Sequence, residues 1–118
     1  MHNFKELDIW KESKDFSVAV YKLTMSFPKS ETYGIISQIN RAVVSIPSNI
    51  AEGAGRGTNK DFSRFISIAL DSSFELETQL IIALEINYID KISFDNLIEK
   101  LNIIQRKLVN FNKYLKNK

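Results

Sequence analysis

The sequence contains no cysteine and a single histidine, His2, among its 118 residues. Without cysteine the chain has no disulfide, no zinc–thiolate site and no thiol nucleophile. With one histidine it also lacks most metal sites and most base-activated catalytic triads. Because these groups carry most hydrolytic and redox chemistry, we predict a protein that is not an enzyme and that holds no cofactor and no metal.

Glycine and proline are also scarce, with four and two residues respectively. A turn-rich β-sandwich or a disordered chain uses both residues far more often. The hydrophobic share of 44% and the charged share of 25% are typical of a globular protein. Since 118 residues is close to the usual size of one domain, we predict a single, mainly helical domain spanning residues 1–118.

Long hydrophobic runs are missing as well. Residues 1–12 carry charges every few positions and contain no apolar segment of the kind that a secretory signal needs. The most apolar window, residues 32–51, is interrupted by Gln38, Asn40, Arg41, Pro47 and Asn49. These interruptions cost too much for a membrane-spanning helix, so we predict no membrane insertion and a cytoplasmic location.

What the chain does contain is helical periodicity in four segments. Apolar residues recur every three or four positions from Leu7 to Phe27, and Pro28 ends this first segment. The fourth segment follows a predicted N-cap at Ser93, and its regular apolar stripe consists of Leu97, Leu101, Ile104, Leu108, Phe111 and Leu115. Short connections favour antiparallel neighbours, so we predict an all-α fold, an up-down-up-down four-helix bundle.

The second and third segments contain the residues that should bend or end helices. The second runs from about Tyr33 to the glycines of residues 53–57, where we expect it to end because left-handed conformations cost little at glycine. Pro47 removes one backbone hydrogen bond inside this segment and predicts a kinked second helix. Thr58 is the predicted N-cap of the third helix, which extends to about Asn87.

One face of the second helix is polar but nearly uncharged. Arg41 is the only charged residue from Thr32 to Ala51, and few charges with many hydrogen-bonding groups are typical of interface cores. We predict that this face contacts other copies of the chain, through Gln38, Arg41, Ser45, Asn49 and Glu52. A wide apolar stripe on the third helix supports this, because it includes Leu70, Phe74, Ile81 and Leu84. The alternative is a weakly charged face in contact with water.

Arg41 would need an acidic partner in such an interface, since an unpaired buried charge costs several kcal/mol. Glu52, Asp71 and Glu75 are the candidates, within one subunit or between two. The alternative is that the Arg41 side chain extends into solvent.

The end of the chain is basic, because residues 100–118 contain six basic and no acidic residues. These are candidates for binding RNA or DNA backbones, namely Lys100, Arg106, Lys107, Lys113, Lys116 and Lys118. The alternative is that cations near a helix C-terminus stabilise the helix dipole. The glycine-rich residues 53–57 lack the strand and the lysine of a phosphate loop, so no nucleotide site is predicted. We expect Arg56 to contact helix-end carbonyls, and the alternative is that it reaches a phosphate.

The sequence also resembles a known family, the four-helix bundle proteins encoded by intervening sequences in bacterial 23S ribosomal RNA genes. It is similar as well to the accessory variability determinant of diversity-generating retroelements. The resemblance rests on the block SIPSNIAEG at residues 45–53 and on Phe27, Pro28, Glu31, Tyr33, Gly34, Gln38, Arg41, Ala42, Arg56, Phe62, Phe65, Ala69, Ser72, Glu75, Leu76, Glu77 and residues 87–89. Asp71 departs from the family pattern, which has glycine at this position.

This resemblance implies a ring-shaped homopentamer of antiparallel four-helix bundles with no catalytic activity. The retroelement members bind nucleic acid and associate with a reverse transcriptase, so RNA, DNA and a reverse transcriptase are the partners that the resemblance suggests. The resulting hypothesis is an oligomeric, non-enzymatic accessory factor for nucleic acid or ribonucleoprotein. The alternative is a structural ring that binds only proteins.

Overall fold

The computed structural model describes residues 3–118, so His2 lies outside the described residues. Within this range the chain forms helices and no strand, which confirms the all-α prediction. Two short 3-10 helices, Phe4–Glu6 and Lys29–Glu31, accompany four α-helices, which are α1 (Asp8–Thr24), α2 (Ile35–Ala54), α3 (Asn59–Glu85) and α4 (Lys91–Lys116).

The four helices form an antiparallel bundle that measures 45 × 23 × 20 Å. Each helix packs against the next in the chain, and α4 closes the bundle against α1 through a thinner contact. The apolar stripes meet in one cluster, in which Val20, Ile46, Ile66, Leu80 and Leu108 are fully buried. The predicted up-down-up-down bundle is therefore confirmed.

Helix α2 continues through Pro47 without a break. Proline has no N–H, so the carbonyl of Val43 lacks its usual intrahelical donor. The hydroxyl of Ser17 on α1 replaces that donor at 3.2 Å from the Val43 oxygen, and it shares its proton with the Ser13 carbonyl at 2.8 Å. A contact between helices thus satisfies the group that proline leaves free.

The glycine cluster ends α2 as predicted, but none of its glycines adopts a left-handed conformation. Gly53 lies inside the helix, where a Cβ would stand 2.8 Å from both Phe62 and Phe65 of α3. Its role is close packing between α2 and α3. Gly55, the C-cap, has ordinary right-handed dihedral angles.

The connection from α3 to α4 also differs from the prediction. Asn87 has a φ of 66° and ends α3, while the Tyr88 and Asn87 amides donate to the carbonyls of Ala83 and Leu84. The N-cap of α4 is Asp90 and not Ser93, because the Asp90 carboxylate accepts the Ser93 amide at 2.8 Å. This hydrogen bond lowers the pKa of Asp90 below its usual value.

A polar contact joins the two connections at this end of the bundle. The Tyr88 hydroxyl donates to the Glu31 carboxylate at 2.8 Å, which raises the pKa of Tyr88. Gly34 leaves room for that carboxylate, since a Cβ there would lie 2.7 Å from its oxygen. The Tyr88 ring packs against Phe27, beyond the end of α1 at Thr24. These residues of the family pattern therefore have a structural role.

Candidate nucleic-acid and subunit interfaces

The six basic residues of positions 100–118 do not form one patch. Lys100 and Lys107 lie on the side of α4 that faces α1. Lys107 makes an ion pair of 2.6 Å with Glu12, and Lys100 borders the groove between α1 and α4. Arg106 is exposed on the outer side of α4. Lys100 and Lys116 are about 24 Å apart along the helix. Lys107 is thus engaged within the bundle.

The last basic residues of α4 are differently placed. Lys113 and Lys116 are exposed and make no ion pair with any described residue. The Lys118 ammonium lies 4.9 Å from the centre of the Tyr114 ring. These three residues, like the exposed Lys100 and Arg106, remain available to a ligand, whereas Lys107 is paired.

The start of α3 lies beside the end of α4. Asn112 of α4 hydrogen-bonds the hydroxyls of Ser63 and Ser67 on α3, and the rings of Phe62 and Phe111 pack edge to face at 5.2 Å. The turn from α2 to α3 and the first turns of α3 therefore share one end of the bundle with the basic end of α4.

The turn and the start of α3 contribute three further cations that the sequence analysis did not assign to the basic surface, namely Arg56, Lys60 and Arg64. Lys60 is exposed and has no ion pair with a described residue. A signal was present in the sequence, because Lys60 is the second residue after the predicted Thr58 cap, where a positive charge opposes the helix dipole.

Arg56 does not satisfy helix-end carbonyls as expected. Its guanidinium pairs with Glu52 at 2.9 Å and lies 4.7 Å from the centre of the Phe65 ring. Arg64 lies 4.8 Å from the same ring and 4.0 Å from Asp61. The aromatic ring and the two carboxylates hold both guanidiniums at the surface.

Antiparallel packing divides the charges along the bundle. We define the positive end as residues 3–11, 52–64 and 110–118, which contain eight basic and four acidic residues. The negative end comprises residues 20–38 and 78–99, with three basic and five acidic residues. The positions between them contain five of each sign. The small net charge of the chain thus conceals a difference between its two ends.

The predicted subunit face is partly used inside the chain. The Ser45 hydroxyl lies 2.8 Å from that of Ser72 on α3, and the Asn49 amide donates to the Ser45 carbonyl at 2.8 Å. Gln38, Arg41 and Glu52 are exposed. Ser45 and Asn49 are therefore half-buried between α2 and α3, whereas the other three positions face outward.

Arg41 borders a notch of about 380 Å³ between α2 and α3, together with Gln38 and Glu75. It makes no ion pair with any described residue, and Glu52 is taken by Arg56. Asp71 is exposed, while its neighbour Ser72 makes the close contact with α2. The carboxylate at position 71 therefore does not occupy the space between the helices.

Several apolar side chains of α3 are exposed around this region. Phe74 and Ile81 are 50% and 39% exposed, and Ile82 and Ile86 are 47% and 46% exposed. Leu70 and Leu84 are partly buried. The widened stripe seen in the sequence therefore lies partly on the surface.

The potential metal ligands of residues 3–118 are dispersed over the bundle. Nowhere in this range do three or more histidine, cysteine or acidic side chains cluster so as to hold a metal ion. The groove between α1 and α4 has a volume of about 240 Å³ and is mainly apolar, with Phe16 and Ile104 among its walls. No helix in the described range is both long and apolar enough to span a membrane.

Comparisons with known proteins agree with this architecture. A crystal structure of a protein of unknown function from the S23 ribosomal protein family of Bacteroides thetaiotaomicron superposes with a TM-score of 0.80. The two chains are 24% identical, and the match covers 89% of this chain and 98% of the other. This likeness concerns the fold. No curated protein matches the sequence.

The sequence model of the 23S rRNA-intervening sequence protein family matches residues 5–110. The match includes all four helices except the last residues of α4. It also contains the SIPSNIAEG block, whose Ser45, Pro47 and Gly53 account for contacts of α2 with both neighbouring helices. The chain therefore belongs to the 23S rRNA-intervening sequence protein family.

Proposed function

We propose that this protein is a non-enzymatic, homo-oligomeric accessory factor that binds nucleic acid or a ribonucleoprotein. The observation that carries the proposal is the basic end of α4, where Lys113 and Lys116 are exposed without an acidic partner among the described residues. No acidic residue occurs from position 100 to position 118. Such a surface attracts phosphate backbones.

The physical basis of binding is the release of counterions. Each lysine or arginine that neutralises a phosphate frees condensed cations, and the affinity therefore falls as salt rises. The described surface has no aromatic platform of the kind that stacks several bases, so backbone contacts should dominate and sequence preference should be small.

Assembly would multiply these contacts. The outer face of α2 carries few charges, and α3 has exposed apolar side chains. Both features suit contacts between copies. The family resemblance suggests a pentameric ring, in which each copy would add its own lysines to the surface. Several weak sites on one particle then bind one polyanion with high avidity.

The test is a titration of the intact protein against a structured fragment of ribosomal RNA and a DNA duplex. We expect complexes at low salt with both probes, and a slope of log affinity against log salt of about −0.7 to −0.9 for each phosphate contacted. If neither probe is retarded at low salt, the proposal is wrong and a ring that binds only proteins replaces it.

A further inference from the structure

We infer that the positive end of the bundle is the nucleic-acid site, formed jointly by the α2–α3 turn and the end of α4. This inference rests on the proposed function and assigns its location. It adds Arg56, Lys60 and Arg64 to the lysines of α4, although about 50 residues of chain separate the two groups.

The two groups share one surface because α3 and α4 are antiparallel. Asn112 is hydrogen-bonded to Ser63 and Ser67. One helical turn later on α4 is Lys116, and one turn earlier on α3 lies the Asn59–Lys60 pair. The Lys60 and Lys116 side chains therefore start from neighbouring positions at the same end of the bundle.

Helix dipoles do not account for these cations together. Lys113 and Lys116 lie in the last turn of α4, where positive charge is favourable. Lys60 lies in the first turn of α3, where positive charge is unfavourable. Neither the helix dipole nor an ion pair favours the positive charge of Lys60 at this position, whereas a phosphate bound at this end would favour it.

The arginines of the turn are already oriented. Arg56 and Arg64 stand 4.7 and 4.8 Å from the Phe65 ring centre, and Phe65 itself is only 6% exposed. A guanidinium held in this way loses less side-chain entropy when it binds a phosphate through two parallel hydrogen bonds. The turn and the start of α3 thus provide two oriented cations at the same end of the bundle as the exposed lysines.

The negative end provides an internal contrast. Its basic residues, Lys22, Lys29 and Lys91, are exposed on the same fold, but five acidic residues accompany them. In a cyclic ring whose axis runs along the bundles, rotation leaves their direction unchanged. All positive ends would then share one face of the ring, and nucleic acid would approach from that face alone.

The experiment compares two variants with the same change in charge. One carries Lys60→Gln, Lys113→Gln and Lys116→Gln at the positive end, and the control carries Lys22→Gln, Lys29→Gln and Lys91→Gln. Each is titrated with the ribosomal RNA fragment and with the DNA duplex over a range of salt. Circular dichroism and light scattering check that fold and particle mass are unchanged.

We expect the positive-end variant to lower the salt slope by about 2 to 3 and the affinity at about 0.1 M salt by about 100-fold or more. The control should change the affinity by less than about 5-fold, through net charge alone. Equal losses in both variants, or a larger loss in the control, would overturn the inference while leaving nucleic-acid binding intact. Absence of binding by the unmodified protein would overturn both.

Discussion

Ser17 and Pro47 are coupled through a single backbone carbonyl, that of Val43. Pro47 has no N–H to donate to this oxygen, and the Ser17 hydroxyl of α1 donates to it instead. Both Ser17 and Val43 are buried, so water has little access to the carbonyl if the hydroxyl is removed.

At the scale of the residue, we therefore predict that Ser17→Ala lowers the free energy of unfolding by about 1 to 3 kcal/mol, the usual cost of leaving a buried group unsatisfied. Urea denaturation measures the change. In a Pro47→Ala background, where the amide is restored, the same substitution should cost less.

Ser13→Ala is the matched control, because the Ser13 hydroxyl donates only to the Trp10 carbonyl of its own helix. An equal cost of Ser17→Ala with and without Pro47 would show that the two residues are independent, which contradicts this account of the Val43 carbonyl.

At the scale of the element, the start of α4 depends on Asp90. Its carboxylate accepts both the amide and the hydroxyl of Ser93, at 2.8 and 3.0 Å. These hydrogen bonds favour the ionised form and lower the pKa of Asp90 in the folded protein. The cap therefore stabilises the fold above the pKa of an unfolded aspartate, and the effect is lost as the pH falls through the lower pKa of the folded state.

We predict that Asp90→Ala lowers the urea midpoint at neutral pH, and that the difference from the unmodified protein shrinks at about pH 3 and below. Ser93→Ala should have a smaller effect at neutral pH, because the backbone amide still reaches the carboxylate. A loss that is the same at both pH values would mean that the charged cap contributes nothing beyond helix propensity.

At the scale of the whole molecule, the proposed assembly of bundle copies assigns the outer face of α2 to the subunit interface. Ser45 and Asn49 are unsuitable probes of the proposed subunit interface, since Ser45 hydrogen-bonds Ser72 of α3 and Asn49 hydrogen-bonds Ser45. Ser48 is exposed on the uncharged side of α2 and has no contact across the bundle among the hydrogen bonds described. A charge at position 48 tests the interface with little effect on the subunit.

We predict a particle mass of about five subunits by light scattering, and a lower mass for Ser48→Glu, because an unpaired charge would be buried in the interface. Asn110→Glu on the exposed side of α4 is the control and should leave the mass unchanged. A monomer at micromolar concentration, or equal effects of both substitutions, would contradict the assignment of this face.

The sequence by itself determined the elements of this protein. The apolar stripe from Leu97 to Leu115 and the Thr58 cap are local patterns, and the structure confirms both, since helical spacing decides which side chains share a face. The low glycine and proline content predicted a helical fold, and the short connections predicted antiparallel neighbours. The predicted cap at Ser93 was wrong because several nearby groups compete to cap a helix end, whereas α2 does end at the predicted glycines, with Gly55 as its C-cap.

Only the tertiary structure decided which distant residues meet. Periodicity separates the buried side of a helix from its surface, but it does not say which neighbour flanks each edge of that surface. From the sequence, Lys107 is part of a basic tail, whereas in the structure the packing of α4 against α1 pairs it with Glu12. From the sequence, Lys60 is an isolated lysine, whereas the contact of α3 with α4 at Asn112 brings the start of α3, which contains Lys60, to the basic end of α4. Charge interactions depend on distance in space, and the fold alone fixes that distance.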